Sequence, residues 1–511
     1  MVYWFYREKG ERIMKKLLSF CLALIMIFSL SSVSFAVDEV KQTCPMIFIP
    51  GFSSSDIYSD ITDSDTLITF PGVDTILTAV GDTLVPCLAL YLADRNADRL
   101  TAKVTERINE MFAPWFNELT GEVPEGSGII PKKLTYSSPA SEHTFSYDWR
   151  GDPVKIADEL NEYIEDVCEL SGCEKVTLAG HSLGSAIALS YLAKYGNDRV
   201  SAMVFDSPAC NGVELIGNVF TGRVNLDADG LAYFIKTYLG ESEYERLVKG
   251  FVDILKKAGL FDAFNLLADE VIKELAPGIY KGTIAPLLGC WPTMWSMLPD
   301  DTVDEAKAYI IYELLKDKDT TLLEKKIDDY NKNVRAKRTE TLQNFNDVSN
   351  FAILSRYSNQ TIPLRASASH IGDLIIETSS TSFGATTAPM GDYFSDSYLK
   401  DKNADFISPD KTVDASTCLF PENTWFIKNS GHFETDGLTS RYYGMFLYAE
   451  KELTTESGEL SRFLYKDEIT YTLVEDTTTP QKREEPDIIE VVYNFAKALV
   501  ESLVALVRSI G

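Results

Sequence analysis

Between residues 44 and 213, short β-branched and aromatic runs alternate with amphipathic stretches. The run Met46–Ile49 ends at Pro50-Gly51 and predicts a buried strand feeding a turn. Residues 143–150, "HTFSYDWR", read as a second strand. Val154, Ile156, Ala157, Leu160, Ile164 and Val167 then recur at helical spacing and predict an amphipathic helix. Residues 175–179 predict a strand, 185–195 a helix and 199–212 a further strand. Strands and helices alternating at this spacing predict an α/β fold with a mostly parallel sheet and crossover helices.

The alternation is interrupted twice. Residues 57–130 carry helical apolar spacing and predict a helical insertion. Residues 214–345 are mostly helical in pattern and predict a cap over the core, which then comprises 44–213 and 346–474. Within that second part, 350–362 and 423–428 read as strands. A polar linker, 475–487, leads to residues 488–511. There Ile488, Val492, Phe495, Leu499, Leu503, Leu506 and Ile510 form one apolar stripe of an amphipathic helix. Such a stripe packs on its own protein, on a second copy or at a membrane interface.

The first 36 residues change the picture of location. From Met14, the expected start, Lys15 and Lys16 precede an apolar run, and Ser34-Phe35-Ala36 forms a small-x-small cleavage site. This pattern predicts a bacterial-type secretory signal peptide and an extracellular protein, with an uncleaved anchor as the alternative. The formal net charge of -28 disfavours nucleic acid and anionic lipid headgroups as partners. Of the eight cysteines, Cys21 lies in the signal. The other seven are too sparse for a disulfide framework, although secretion permits a bridge or two, with Cys168 and Cys173 the nearest pair. No metal-ligand spacing occurs, and nothing calls for a cofactor.

The candidate chemistry lies in residues 174–196, "EKVTLAGHSLGSAIALSYLAKYG". Gly180, Ser182 and Gly184 form a G-x-S-x-G pattern with a strand before it and a helix after it. That is the context of a nucleophile elbow, which lifts a serine above a sheet. A serine needs a base and oxyanion donors. The chain has four histidines: His143, His181, His370 and His432. His181 is inside the elbow. The order serine, acid, histidine excludes His143, and His370 leaves little room for an acid. His432 follows a predicted strand and is the expected base. The acid belongs on the loop after the strand at 350–362, which favours Asp373. Asp405 remains an alternative, and Asp206 is a third. The oxyanion donors are expected at Leu183, after the nucleophile, and at Phe52, after Pro50-Gly51.

"PMIFIPGF", "FSYDWR" and "VTLAGHSLGSAIALSYL", in this order, resemble the lecithin:cholesterol acyltransferase-like branch of the α/β-hydrolases. That branch includes phospholipid acyltransferases, phospholipases and bacterial esterases. The resemblance implies Ser182, Asp373 and His432 as a triad, with Phe52 and Leu183 as oxyanion donors. It departs at the acid, where Leu374 stands in place of the favoured glycine and Glu377 in place of a common proline. "YDWR", Tyr147 to Arg150, is expected to support loops rather than touch substrate.

A triad implies acyl transfer through an acyl-serine. Water as second nucleophile makes a hydrolase; an alcohol makes an acyltransferase. A secreted serine esterase or lipase is the favoured reading, and the apolar cap, with "PLLGCWPTMWSMLP" at 286–299, points to lipid or long-acyl esters. The same residues would also serve as the cap's own core. A silent binding module on a hydrolase fold and a serine peptidase are the other readings.

Overall fold

The computed structural model describes residues 42–71, 82–83, 85–224, 230, 249–250, 252–254, 256–257, 273–363, 371–433, 438–449, 453–458, 460–467 and 473–481. The expected signal segment, His370 and the stripe at 488–511 lie outside these residues. The same holds for most of 225–272 within the expected cap.

Eight strands form the central sheet: β1 (Met46–Ile49), β2 (Glu142–Thr144), β3 (Val176–His181), β4 (Val200–Asp206), β5 (Asn350–Tyr357), β6 (Thr424–Lys428), β7 (Phe463–Lys466) and β8 (Leu473–Glu475). Their spatial order is β8-β7-β6-β5-β4-β3-β1-β2. Every neighbouring pair is parallel except β7 with β8. β3 and β4 are buried almost throughout and mostly apolar, as strands covered by helices on both faces are.

Helix α1 spans Ala97–Met111, α2 Pro153–Ser171, α3 Leu183–Tyr195, α4 Glu214–Phe220, α5 Thr321–Asn333, α6 Arg338–Asn346 and α7 Leu438–Leu447. Local signals set the ends of α2. The Asp152 side chain accepts from the Val154 N–H, Pro153 opens the first turn, and Gly172 stops the helix at φ 71°. The predicted stripe of α2 from Ile156 to Val167 is buried against one face of the sheet, together with α3. On the other face Tyr443, Phe446 and Leu447 of α7 pack with Ala179, Val204 and Leu354.

Several details differ from the sequence pattern. "HTFSYDWR" is strand only to Thr144, because the later residues turn to bond the loop after β1. The insertion after β1 begins with a two-stranded ribbon, Ile57–Tyr58 against Leu67–Ile68, joined through a 3-10 turn at Ser64–Thr66, ahead of the first described α-helix. Residues 307–314, within the expected cap, are π-helical. The last two strands, β7 and β8, at 463–475, had no clear periodicity because each is only three or four residues long. All seven described cysteines are free thiols, so Cys168 and Cys173 are not bridged. Among the described residues, no helix is long and apolar enough to cross a membrane.

Candidate active site

Ser182 sits between β3 and α3 with φ 52° and ψ -121°, a strained conformation for a residue with a side chain. The glycines around it allow close approach of three backbones. A Cβ on Gly184 would lie 2.0 Å from the Ile49 carbonyl oxygen, and one on Gly51 would lie 2.9 Å from the Ser182 Cβ. Gly180 is similarly confined by the first turn of α3.

The three residues named from sequence meet at the C-terminal ends of the strands. His432 Nε2 lies 3.0 Å from Ser182 Oγ. His432 Nδ1 lies 2.7 Å from Asp373 Oδ2. The His432 N–H also donates to the Asp373 carbonyl at 2.7 Å, so main chain and side chain are held together. The other carboxylate oxygen of Asp373 accepts from the N–H groups of Ile375 and Ile376, at 3.0 and 2.7 Å. Burial pushes the Asp373 carboxyl up. The His432 imidazole and the Ile376 N–H outweigh it and hold the carboxyl below the usual range. Asp405 is exposed on a short turn, where its N–H donates to Asn403 Oδ1 at 3.1 Å and its carbonyl accepts from Arg462, and neither bond joins it to Ser182.

Leu374, the departure beside the acid, takes φ 88°, a conformation that glycine adopts without strain. Glu377, the other departure, is buried and accepts from the Glu214 N–H at 3.2 Å. It thereby ties the acid loop to the start of α4.

The oxyanion candidates occupy the loop after β1 and the first residue of α3. Among the described residues, neither the Phe52 nor the Leu183 N–H donates to a turn, loop or side-chain acceptor. The "YDWR" segment braces the Phe52 loop. The Tyr147 hydroxyl donates to the Pro50 carbonyl at 2.6 Å, and the Tyr147 N–H to Ser55 Oγ at 3.2 Å. The Trp149 ring packs edge-on against Phe52, with centroids 4.4 Å apart. Arg150 is fully buried and grips Asp148 at 2.7 Å. These supporting roles were readable only as a motif, since nothing in the sequence says which carbonyl Tyr147 reaches.

A cavity of about 500 Å³ opens on Ser182 and His432. α4 contributes Leu215, Ile216, Val219 and Phe220, and α1 with its following residue contributes Ile108 and Phe112. Trp291 and Met294 of "CWPTMW" line it as well, while Cys290 and Trp295 are buried in the apolar core. The two readings of that segment therefore hold together. His181 also borders the cavity; its ring centroid is 5.0 Å from that of His432, and burial pushes its pKa down. His143 is elsewhere, bonded to Ser137 at 2.9 Å. Among the described residues, no cluster of His, Cys, Asp and Glu could hold a metal ion.

The strand order and the serine on its strand-to-helix turn define an α/β-hydrolase fold. A family model described as alpha/beta hydrolase fold matches residues 134–228, which hold β2, β3, β4 and the elbow. Among solved structures, the chain is similar to one from the Tle4-Tli4 complex, at 15% identity and a TM-score of 0.19. That match covers 35% of this chain and 48% of the other, so it spans about half of its length. It is also similar to the meta-cleavage product hydrolase CumD from Pseudomonas fluorescens IP01, complexed with acetates, at 11% identity and a TM-score of 0.23. That match covers 79% of this chain and 89% of the other, and a second CumD structure gives a TM-score of 0.21. No curated protein sequence matches the chain.

Proposed function

We propose that this protein is a secreted serine esterase that cleaves carboxylic esters with a long apolar acyl group. The observation that carries this reading is the hydrogen-bonded chain Ser182–His432–Asp373 at the wall of an apolar cavity. Ser182 Oγ attacks the ester carbonyl while His432 Nε2 takes its proton. Asp373 holds the Nδ1–H and stabilises the imidazolium. The Phe52 and Leu183 N–H groups receive the oxyanion. The tetrahedral intermediate collapses, His432 protonates the leaving alcohol, and the acyl group remains on Ser182. Water, deprotonated by His432, then releases the acid.

A cavity of this volume is within the range of small-molecule sites, about 300–1,000 Å³, and its apolar walls suit an acyl chain better than a polar ester. The three sequence blocks that resemble the lecithin:cholesterol acyltransferase-like branch, and the pattern of residues 14–36, support the lipid and secretory parts of the reading. The test uses purified protein, p-nitrophenyl esters of two to sixteen carbons, and Ser182→Ala. We expect kcat/KM to rise with chain length and activity to vanish in the alanine variant. An inactive wild type, or an active alanine variant, would sink the enzyme reading. Adding an alcohol acceptor and measuring transester product separates hydrolysis from acyl transfer.

A further inference from the structure

Behind the candidate base lies a buried ion pair that ester cleavage does not itself require. Asp206 ends β4, beside His181 of β3 and Leu354 of β5. Its carbonyl accepts from the Ser182 N–H at 3.0 Å. Its carboxylate accepts from Arg356 Nη2 at 2.9 Å and from the Tyr443 hydroxyl of α7 at 2.8 Å. The other terminal nitrogen of Arg356 donates to the carbonyls of Gly431 and His432, at 3.0 and 2.9 Å. The main chain of Asp206 thus holds the nucleophile, and its side chain holds the base through one guanidinium.

Both charges are buried. A buried ion pair is weak evidence for stability, since well-packed apolar residues of the same volume often serve as well or better. A planar five-donor fork can, however, engage a carboxylate and two carbonyls at once in a fixed geometry, which the compact charge of a lysine reproduces only in part and an apolar residue not at all. The transfer distance between Ser182 and His432 depends on a loop, and loops are the mobile part of such a site.

We propose that Arg356, anchored by Asp206, is a positioning residue that fixes the main chain at 431–432 so that His432 stays within bonding distance of Ser182. This rests on the Ser182–His432 reading above. Among the described residues, the charged and titratable groups at the His432 loop are Asp373 from the acid loop, His181 from β3 and Arg356 from β5, with Asp206 and the Tyr443 hydroxyl of α7 behind the arginine.

The experiment compares the full wild-type chain with R356K and the charge-neutral double variant D206N/R356Q. It measures kcat and KM on p-nitrophenyl butyrate, the rate of Ser182 labelling by a fluorophosphonate, and the thermal midpoint. A misplacement of about 1 Å costs on the order of 10²-fold in rate. We therefore expect the folded double variant to lose about that factor in kcat and in labelling, with KM little changed, and R356K to recover part of it. A folded double variant with wild-type kcat and labelling would overturn the proposal. If the double variant does not fold, R356K decides: a reduced kcat at unchanged KM supports positioning, and wild-type kinetics overturn it. A wild type that the probe does not label at Ser182 would instead defeat the esterase reading.

Discussion

Asp373 uses its two carboxylate oxygens for different purposes. One meets His432 Nδ1, and the other is fixed by two backbone N–H groups that stop the carboxylate rotating. An amide at this position would present the histidine with the wrong partner and favour the wrong tautomer. Asp373→Asn should therefore lower kcat by about 10⁴-fold. Asp405→Asn should leave kcat near wild type, because that side chain is exposed and no bond to it joins the site. Steady-state kinetics of the two variants check this; a loss only in the second would move the acid. The serine was legible as a motif and the histidine through scarcity. The aspartate was less so, because Leu374 hides a positive φ that a glycine would have advertised. Arg356 gave no signal at all. It lies in an apolar strand run, and its guanidinium meets a residue 150 positions away and two main-chain carbonyls.

At the scale of elements, the elbow is a three-way contact of β1, β3 and α3. Gly184→Ala forces a Cβ into the Ile49 carbonyl, and neither backbone can yield without moving a strand. We expect it to cost about 3 kcal/mol or more, near the top of the range for single substitutions. Gly172→Ala, at φ 71° in open space, should cost only backbone strain, about 1–2 kcal/mol. Urea unfolding of the two variants checks the order, and equal costs would refute the steric account. α4 makes the second elemental prediction. Ile216→Trp should fill part of the cavity, lowering kcat/KM for long-chain esters by about 10-fold or more while sparing the butyrate ester. A uniform loss across chain lengths would mean that α4 does not bound the acyl site. The strands and helices of 44–213 were legible because buried strands and an amphipathic crossover leave strong periodicities. The start of the insertion after β1 was not, because its ribbon strands are two residues each.

For the whole molecule, the parallel sheet was legible from the alternation of elements, and its antiparallel edge was not. Buried titratable groups at the strand ends give the stability a pH dependence. Burial lowers the His181 pKa, so the folded chain keeps it neutral where the unfolded chain, with a pKa of about 6.5, takes up a proton. The unfolded state then binds more protons, and the contribution of neutral His181 is lost as pH falls below that value. The difference in unfolding free energy between wild type and His181→Gln should shrink from pH 7 to pH 5. Using the difference cancels the relief of repulsion that acid brings to a chain with net charge -28. A difference that grows on acidification would contradict the assignment. For Asp206 and Asp373, whose carboxyls are held low, stability is present above about pH 4 and is lost as pH falls through their lowered values.

The spatial order of the strands has a consequence for the timing of synthesis. β1 leaves the ribosome first, yet it pairs with β2 and β3, so its edges stay unsatisfied until Gly180 has emerged beside Ile49. At that moment the elbow can close, but its serine lacks the histidine proposed as its base. His432 arrives 250 residues after Ser182, when all strands of the sheet but β7 and β8 have been made. On that reading a growing chain carries an inert serine for about half of its synthesis. Labelling of Ser182 by an active-site probe would then mark the moment at which nearly the whole sheet has been assembled.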